Sequence, residues 1–171
     1  MTMRIETERL IITELTLDMA ANIQRQSQDE DMRRFVPDEV FDTLEEARKT
    51  VRELMAAYQF QDGPYVYAVV RKDGNLLGYV QLCRVDDGWE IGYHIAAEQT
   101  GRGYATEAVR AFLPVVMDRL ALERVWGIVD ERNAASCRVL EKCGFALIER
   151  GEGPYHGRIC PRRRYRLIRT E

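Results

Sequence analysis

Histidine is scarce in this sequence. His94 and His156 are the only two in 171 residues, and Cys83, Cys137, Cys143 and Cys160 form no C-x-x-C pair, so no metal ligand set and no disulfide framework can be read from the spacing. Reduced thiols and no metal are expected. Long apolar runs are missing as well: nothing approaches the ~18 residues of a membrane span, and "MTMRIETERL" is charged where a signal peptide would be apolar. A cytoplasmic chain with no membrane partner is expected. Charge of one sign is also lacking, because Lys+Arg 25 against Asp+Glu 28 leaves a net charge of -3. No global field points to nucleic acid.

The 46 % hydrophobic and 31 % charged residues belong to a folded globular chain. With no linker, repeat or low-complexity break, residues 1–171 read as one domain. "RIETERLIITEL" alternates as a single opening strand. "DMAANIQRQSQDEDM" and "TLEEARKTVRELMAAYQF" read as two helices, the second opening on a capping box of Thr43 and Glu46. "PYVYAVVR" and "LLGYVQLCRV" flank Asp73-Gly74-Asn75 as a hairpin, and "WEIGYHI" follows as a third strand.

A helix from about Tyr104 carries apolar residues at spacings of three and four, with a kink expected at Pro114. "ERVWGIVD", the helix "NAASCRVLEKCGF", and the strands "ALIERG" and "CPRRRYRLIR" complete the chain.

The stretch "EQTGRGYATEA" places Gly101 and Gly103 between a strand and a helix, with Arg102 between them. Free backbone N–H groups and the positive helix end converge there, and glycine lets an anion approach. A plain helix entry is the competing reading. Neither G-x-x-x-x-G-K-[S/T] nor G-x-G-x-x-G is present, which argues against ATP and NAD.

"QTGRGYATEA" followed by "NAASCRVLEKCGF" resembles the acetyl-CoA-binding signature of the GNAT N-acetyltransferases, and "IETERLIITEL" resembles the opening strand of their ribosomal-protein-alanine/serine (RimJ/RimL-like) branch. The resemblance implies an α+β fold of three layers, α/β/α, around a mixed, mostly antiparallel sheet of about seven strands with about four helices. It also implies acetyl-CoA as cosubstrate. The amides of Gly101, Arg102, Gly103, Tyr104, Ala105 and Thr106 would hold the pyrophosphate, the main chain of Tyr93, His94 and Ile95 would pair with the pantetheine arm, and Asn133 and Ser136 would lie beside that arm. One departure is Thr100 where the family's motif opens on Gln or Arg, Gln99 standing one residue early.

The implied reaction moves an acetyl group to a primary amine, a protein N-terminus or a small amine, by direct attack in a ternary complex. An amine of pKa ~10.4 gives up roughly 4.6 kcal/mol to be neutral at pH 7, an α-amino group near 7.7–8.0 only about 1–1.4 kcal/mol. Glu90 is the base candidate, its alternative being a strand carboxylate that faces solvent or pairs with arginine. His94 could share that role or simply pack, and the N–H of Ile95 could polarise the carbonyl.

The tyrosine that many family members place seven residues after the asparagine is Leu140 here, so the resemblance hands the thiolate's proton to Ser136, which could equally cap its helix. The absent tyrosine leaves a second function open: a CoA-binding or protein-binding module with impaired chemistry.

Arg162, Arg163, Arg164 and Arg166 on a strand of period two read as protection of a sheet edge rather than an RNA site. The acidic stretches "QDEDM" and "PDEVFDTLEEA" suit a cationic acceptor or a solvated face. A homodimer is compatible with all of this.

Overall fold

Residues 4–14 do not form one strand. In the computed structural model, which describes residues 1–170, they make β1 (Arg4–Glu6) and β2 (Leu10–Glu14), paired antiparallel. The side chain of Thr7 causes the break: its Oγ1 accepts the Leu10 N–H at 2.9 Å while the Thr7 N–H donates to the Leu10 carbonyl at 2.9 Å, closing a tight turn. The sheet therefore has eight strands, not about seven.

The first predicted helix is likewise two, α1 (Ala20–Ser27) and α2 (Glu30–Phe35), because the Asp29 carboxylate accepts the N–H groups of Asp31 at 2.6 Å and Met32 at 3.3 Å and starts a new helix. α3 (Leu44–Ala57) opens on the expected capping box, Thr43 Oγ1 accepting from the Glu46 N–H and the Glu46 carboxylate from the Thr43 N–H. With α4 (Tyr104–Arg119) and α5 (Ala134–Lys142) there are five α-helices rather than about four.

β3 (Tyr65–Arg71), β4 (Leu76–Val85), β5 (Gly88–Ile95), β6 (Arg124–Asp130), β7 (Ala146–Tyr155) and β8 (Arg158–Ile168) complete the sheet, in the order β1-β2-β3-β4-β5-β6-β8-β7. Every neighbouring pair is antiparallel except β5 with β6. The period of two along β3 sorts the layers: Tyr65, Tyr67 and Val69 join the core under α4 and α5, while Val66 and Ala68 pack with Ala20 and Val51 of α1 and α3. The fold is α+β, three layers deep.

α4 runs unbroken through Pro114, which lies on its exposed face. Pro114 has no N–H to give to the Arg110 carbonyl. The arginine strand corrects the sequence reading: β8 lies inside the sheet between β6 and β7, and β7 is the edge. Arg163 and Arg164 of β8 have partners within the fold instead. Arg163 meets Glu131 at 3.1 Å, and Arg164 meets Asp87 at 3.1 Å while lying 3.7 Å over the Trp126 ring.

Candidate active site

Gly103 is the N-cap of α4 and sits at φ +81°, with Gly101 at φ +75°, conformations closed to most side chains. No side chain caps this helix end, so the N–H groups of its first turn point outward unclaimed. A Cβ on Gly101 would meet nothing within 4 Å, so backbone angle alone calls for glycine there.

The turn is braced from far away in sequence. Arg9 donates from Nε to Glu107 Oε2 at 2.6 Å and from Nη1 to the Arg102 carbonyl at 2.9 Å, and its guanidinium lies 4.4 Å from the Tyr104 ring centroid. Thr7 Oγ1 donates to the same Glu107 at 2.6 Å. Residues 98 and 100 positions apart carry no mutual signal in sequence, so the role of Arg9 is visible only in the fold.

β5 leads to this turn, and among the described residues it is bridged to β6 only at Glu90–Trp126. Past that bridge the two strands part, leaving main-chain groups of Tyr93 and Ile95 facing a gap, while those of His94 are turned toward Tyr79 of β4. A cleft of about 350 Å³ occupies it, lined by Tyr93, His94, Ile95, Gly101, Gly103, Tyr104, Ala105, Thr106, Asn133 and Ser136. Of the residues the sequence gave to the cosubstrate, only Arg102 is outside the lining, exposed beside the turn. Arg138 and Lys142 of α5 add positive charge that the sequence reading did not use. His94 Nε2 is buried without a hydrogen-bond partner, 3.9 Å from Asp29 Oδ2, and burial pushes its pKa down.

A second cavity, of about 290 Å³, shares Tyr93 and Ser136 with the cleft. Glu90 lines it, as do Glu39, Asp38, Tyr79, Gln81 and Cys83, while Ile128, Tyr155 and His156 close the far side. Burial raises the Glu90 carboxyl to about 7, the Ile128 amide working against the rise and Glu39 adding to it. A base near neutrality is suited to take a proton from an ammonium. Glu39, read before only as part of an acidic stretch, accepts the Tyr79 hydroxyl and, at 3.0 Å, the Gln81 amide. Cys83 sits between the carboxylates, and burial with both charges pushes its thiol up to about 12, leaving it a poor nucleophile.

Ser136 is not the cap of α5. Asn133 is: its Oδ1 accepts the Ser136 N–H at 3.2 Å. The serine hydroxyl is thereby available to Tyr93, whose OH lies 2.9 Å from Ser136 Oγ and 3.0 Å from the Ser136 carbonyl. Tyr93 was expected to act through its main chain; its side chain stands at the junction of the two cavities. Leu140 is buried, and its side chain fills the space a Cβ on Gly127 would need, so no hydroxyl comes from that position.

At the end of β6 stands Asp130, whose side chain is fully buried. It pairs with Arg132 at 2.6 Å and Arg158 at 3.1 Å, and Arg158 also donates to the Phe35 carbonyl at 3.3 Å, tying α2 to the β7–β8 hairpin. A larger depression of about 930 Å³ between α4 and the end of β8 has no free helix N-terminus and no paired carboxylates. Among the described residues no His, Cys, Asp and Glu cluster could hold a metal, and no helix is long and apolar enough to cross a membrane.

Three comparisons bear on this arrangement. The family model described as "Acetyltransferase (GNAT) domain" matches residues 9–146. The uncharacterized N-acetyltransferase YoaA of Bacillus subtilis (strain 168) is 29 % identical over 145 residues, 82 % of this chain and 81 % of that protein. Among solved structures, the ribosomal-protein-S5-alanine acetyltransferase of Vibrio fischeri superposes with a TM-score of 0.83 at 18 % identity, over 97 % of this chain and 96 % of that one. RimL, a ribosomal L7/L12 alpha-N-protein acetyltransferase solved in complex with coenzyme A, superposes with a TM-score of 0.84 at 16 % identity, over 97 % and 98 %. With the family model spanning most of the chain and the fold matching throughout, the protein belongs to the GNAT acetyltransferase family and is an acyltransferase.

Proposed function

We propose that the protein transfers acetyl from acetyl-CoA to a primary amine by direct attack while both are bound. The observation that carries this reading is the junction: a cleft at an uncapped helix N-terminus and a pocket holding a buried carboxylate meet at the Tyr93 and Ser136 side chains. The amides of Gly101 to Thr106 hold the pyrophosphate, with Arg102, Arg138 and Lys142 adding charge. The main chain of Tyr93 and Ile95 pairs with the pantetheine arm in the gap beside β6, and Asn133 and Ser136 line the arm's far side. Bound there, the cosubstrate supplies the thioester.

Glu90 takes one proton from the ammonium, directly or through water, and the neutral amine nitrogen bonds to the thioester carbon. The C–S bond breaks as the N–C bond forms, the departing sulfur takes a proton from Ser136, which Tyr93 orients, and the second proton that the acylated nitrogen sheds passes through water to restore the hydroxyl pair. The N–H of Ile95 is the donor we assign to the carbonyl oxygen. The products are an amide and the free thiol.

The test follows free thiol with acetyl-CoA and a panel of amines and N-terminal peptides, alongside calorimetric titration of acetyl-CoA. Turnover that falls in Glu90→Gln and Ser136→Ala with binding retained supports the assignment. Tight binding with no turnover on any acceptor turns the reading to a cofactor-binding module, for which Leu140 in place of a tyrosine is the motivating feature.

A further inference from the structure

Resting on that reading, the acceptor pocket says which amine it takes. Three carboxylates, Asp38, Glu39 and Glu90, line the pocket that meets the cleft, and among the described residues no Lys or Arg does. Asp38 is paired with His156 of the same lining at 2.6 Å, Glu39 is held by Tyr79 and Gln81 so that its charge stays on the pocket wall, and no salt bridge engages Glu90 among the described residues. Arg162 and Arg164 act on Glu90 from β8, outside the lining. Such a wall welcomes an ammonium and repels a carboxylate carried on the neighbouring carbon, because like charges in a poorly solvated site cost more than they do in water.

A second space abuts this pocket at Glu39. The residues Asp38, Glu39, Tyr79, Gln81 and Cys83 also form one wall of a further cavity, of about 250 Å³, that opens between the sheet and α1 and α3. Apart from Thr50, the rest of that cavity is apolar, Leu15, Ile23, Phe41, Val51, Leu54 and Val66 among it. Its polar members are confined to the shared wall and Thr50. A ligand that spans both spaces has an ammonium at the carboxylates and an apolar group several carbons away.

We infer that the acceptor is a primary amine bearing an alkyl or aryl group and no adjacent carboxylate. Two sources carry that chemistry, a free arylalkylamine or alkylamine and a peptide whose first residue has a large apolar side chain. Free amino acids are excluded by charge, and short diamines by the apolar wall their second ammonium would meet.

The experiment measures kcat/KM by thiol release for ethylamine, butylamine, hexylamine, phenethylamine, phenylalanine and 1,4-diaminobutane, and for peptides beginning Phe-Gly or Ser-Gly. Phenethylamine binding to the CoA complex is followed separately by calorimetry. The alkyl series is expected to gain about fourfold per methylene until the cavity is full, and phenethylamine to exceed phenylalanine and the diamine at least tenfold. If the Phe-Gly peptide outruns phenethylamine the source is a protein terminus; the reverse order makes it a free amine. Leu54→Gln should lower kcat/KM for phenethylamine about tenfold while acetyl-CoA affinity, which also reports folding, stays within twofold.

A flat alkyl series, or preference for phenylalanine or the diamine, overturns this inference and leaves the acetyltransferase intact. Phenethylamine bound without turnover keeps the pocket assignment and ends the proposed reaction. Neither binding nor turnover of any amine overturns both.

Discussion

The hydroxyl of Tyr93, at the middle of the sheet, stands 2.9 Å from the hydroxyl of Ser136 in the first turn of α5. Two hydroxyls so placed act as a unit, one donating while the other accepts. Ser136→Ala is expected to lower kcat about 10- to 100-fold with little change in KM for acetyl-CoA, and Tyr93→Phe several-fold. The double variant should lose little more than Ser136→Ala alone. Losses that multiply in steady-state kinetics would show that the two residues work separately.

Burial of Glu90 gives a pH signature in activity and in stability. With the carboxyl near 7 in the folded chain, kcat/KM for a small amine should rise with pH through about 7, and Glu90→Gln should remove that limb. In stability the sign is opposite. The folded state holds a proton that the unfolded chain releases near 4.3, so stability falls as pH rises between those values, by up to about 3 kcal/mol. Glu90→Gln should therefore raise Tm at pH 8 and leave it nearly unchanged at pH 4. A variant less stable than the parent at pH 8 in thermal melts contradicts this account.

Arg9 should matter for cosubstrate affinity although it does not line the cleft. Removing it frees the Arg102 carbonyl and half of the Glu107 anchorage, loosening the glycine turn. Its side chain is part-exposed, so Arg9→Ala should cost only about 1 kcal/mol in stability while weakening acetyl-CoA binding three- to tenfold. Arg9→Lys cannot reproduce the fork and the ring contact and should rescue only in part. Unchanged calorimetric affinity in Arg9→Ala would remove the brace from the site.

Asp130 is a stability element with an acid limb. Its bond to Arg132, against the cost of burial, holds the carboxyl down to about 2. The ion pairs therefore contribute fully above about pH 4 and fade as pH falls toward 2. Asp130→Ala should lose about 2–4 kcal/mol at pH 7, because Arg158 and Arg132 are left without their partner. The gap between parent and variant in denaturant melts should close below about pH 3; a constant gap would mean that packing, not charge, is what Asp130 supplies.

What could be read from sequence follows the range of each interaction. The capping box, the Asp73 turn and the glycine turn are set by residues a few positions apart, so their chemistry is local and was legible. The breaks at Thr7 and Asp29 are local too, yet each depends on which backbone group a small polar side chain chooses, and alternation or helical composition alone hides that choice. The period of two along "WEIGYHI" places Glu90 on one face of β5, and that face borders the second cavity. Glu39, Tyr79 and Gln81 were not legible, since their meeting depends on how α2 and the chain after it cross the β4 face. The arginine strand misled because period two describes two faces without saying whether the strand is central.

The parting of β5 from β6 has a last consequence. A single bridge joins the five strands on one side to the three on the other among the described residues, so the sheet carries, in its middle, main-chain groups that elsewhere would be bonded to a neighbour. A pantetheine arm seated there would act as a ninth strand and stitch the halves together. Resistance to heat and to amide exchange in β5 and β6 would then track how much donor the surroundings hold, making the protein's own cohesion a gauge of its fuel.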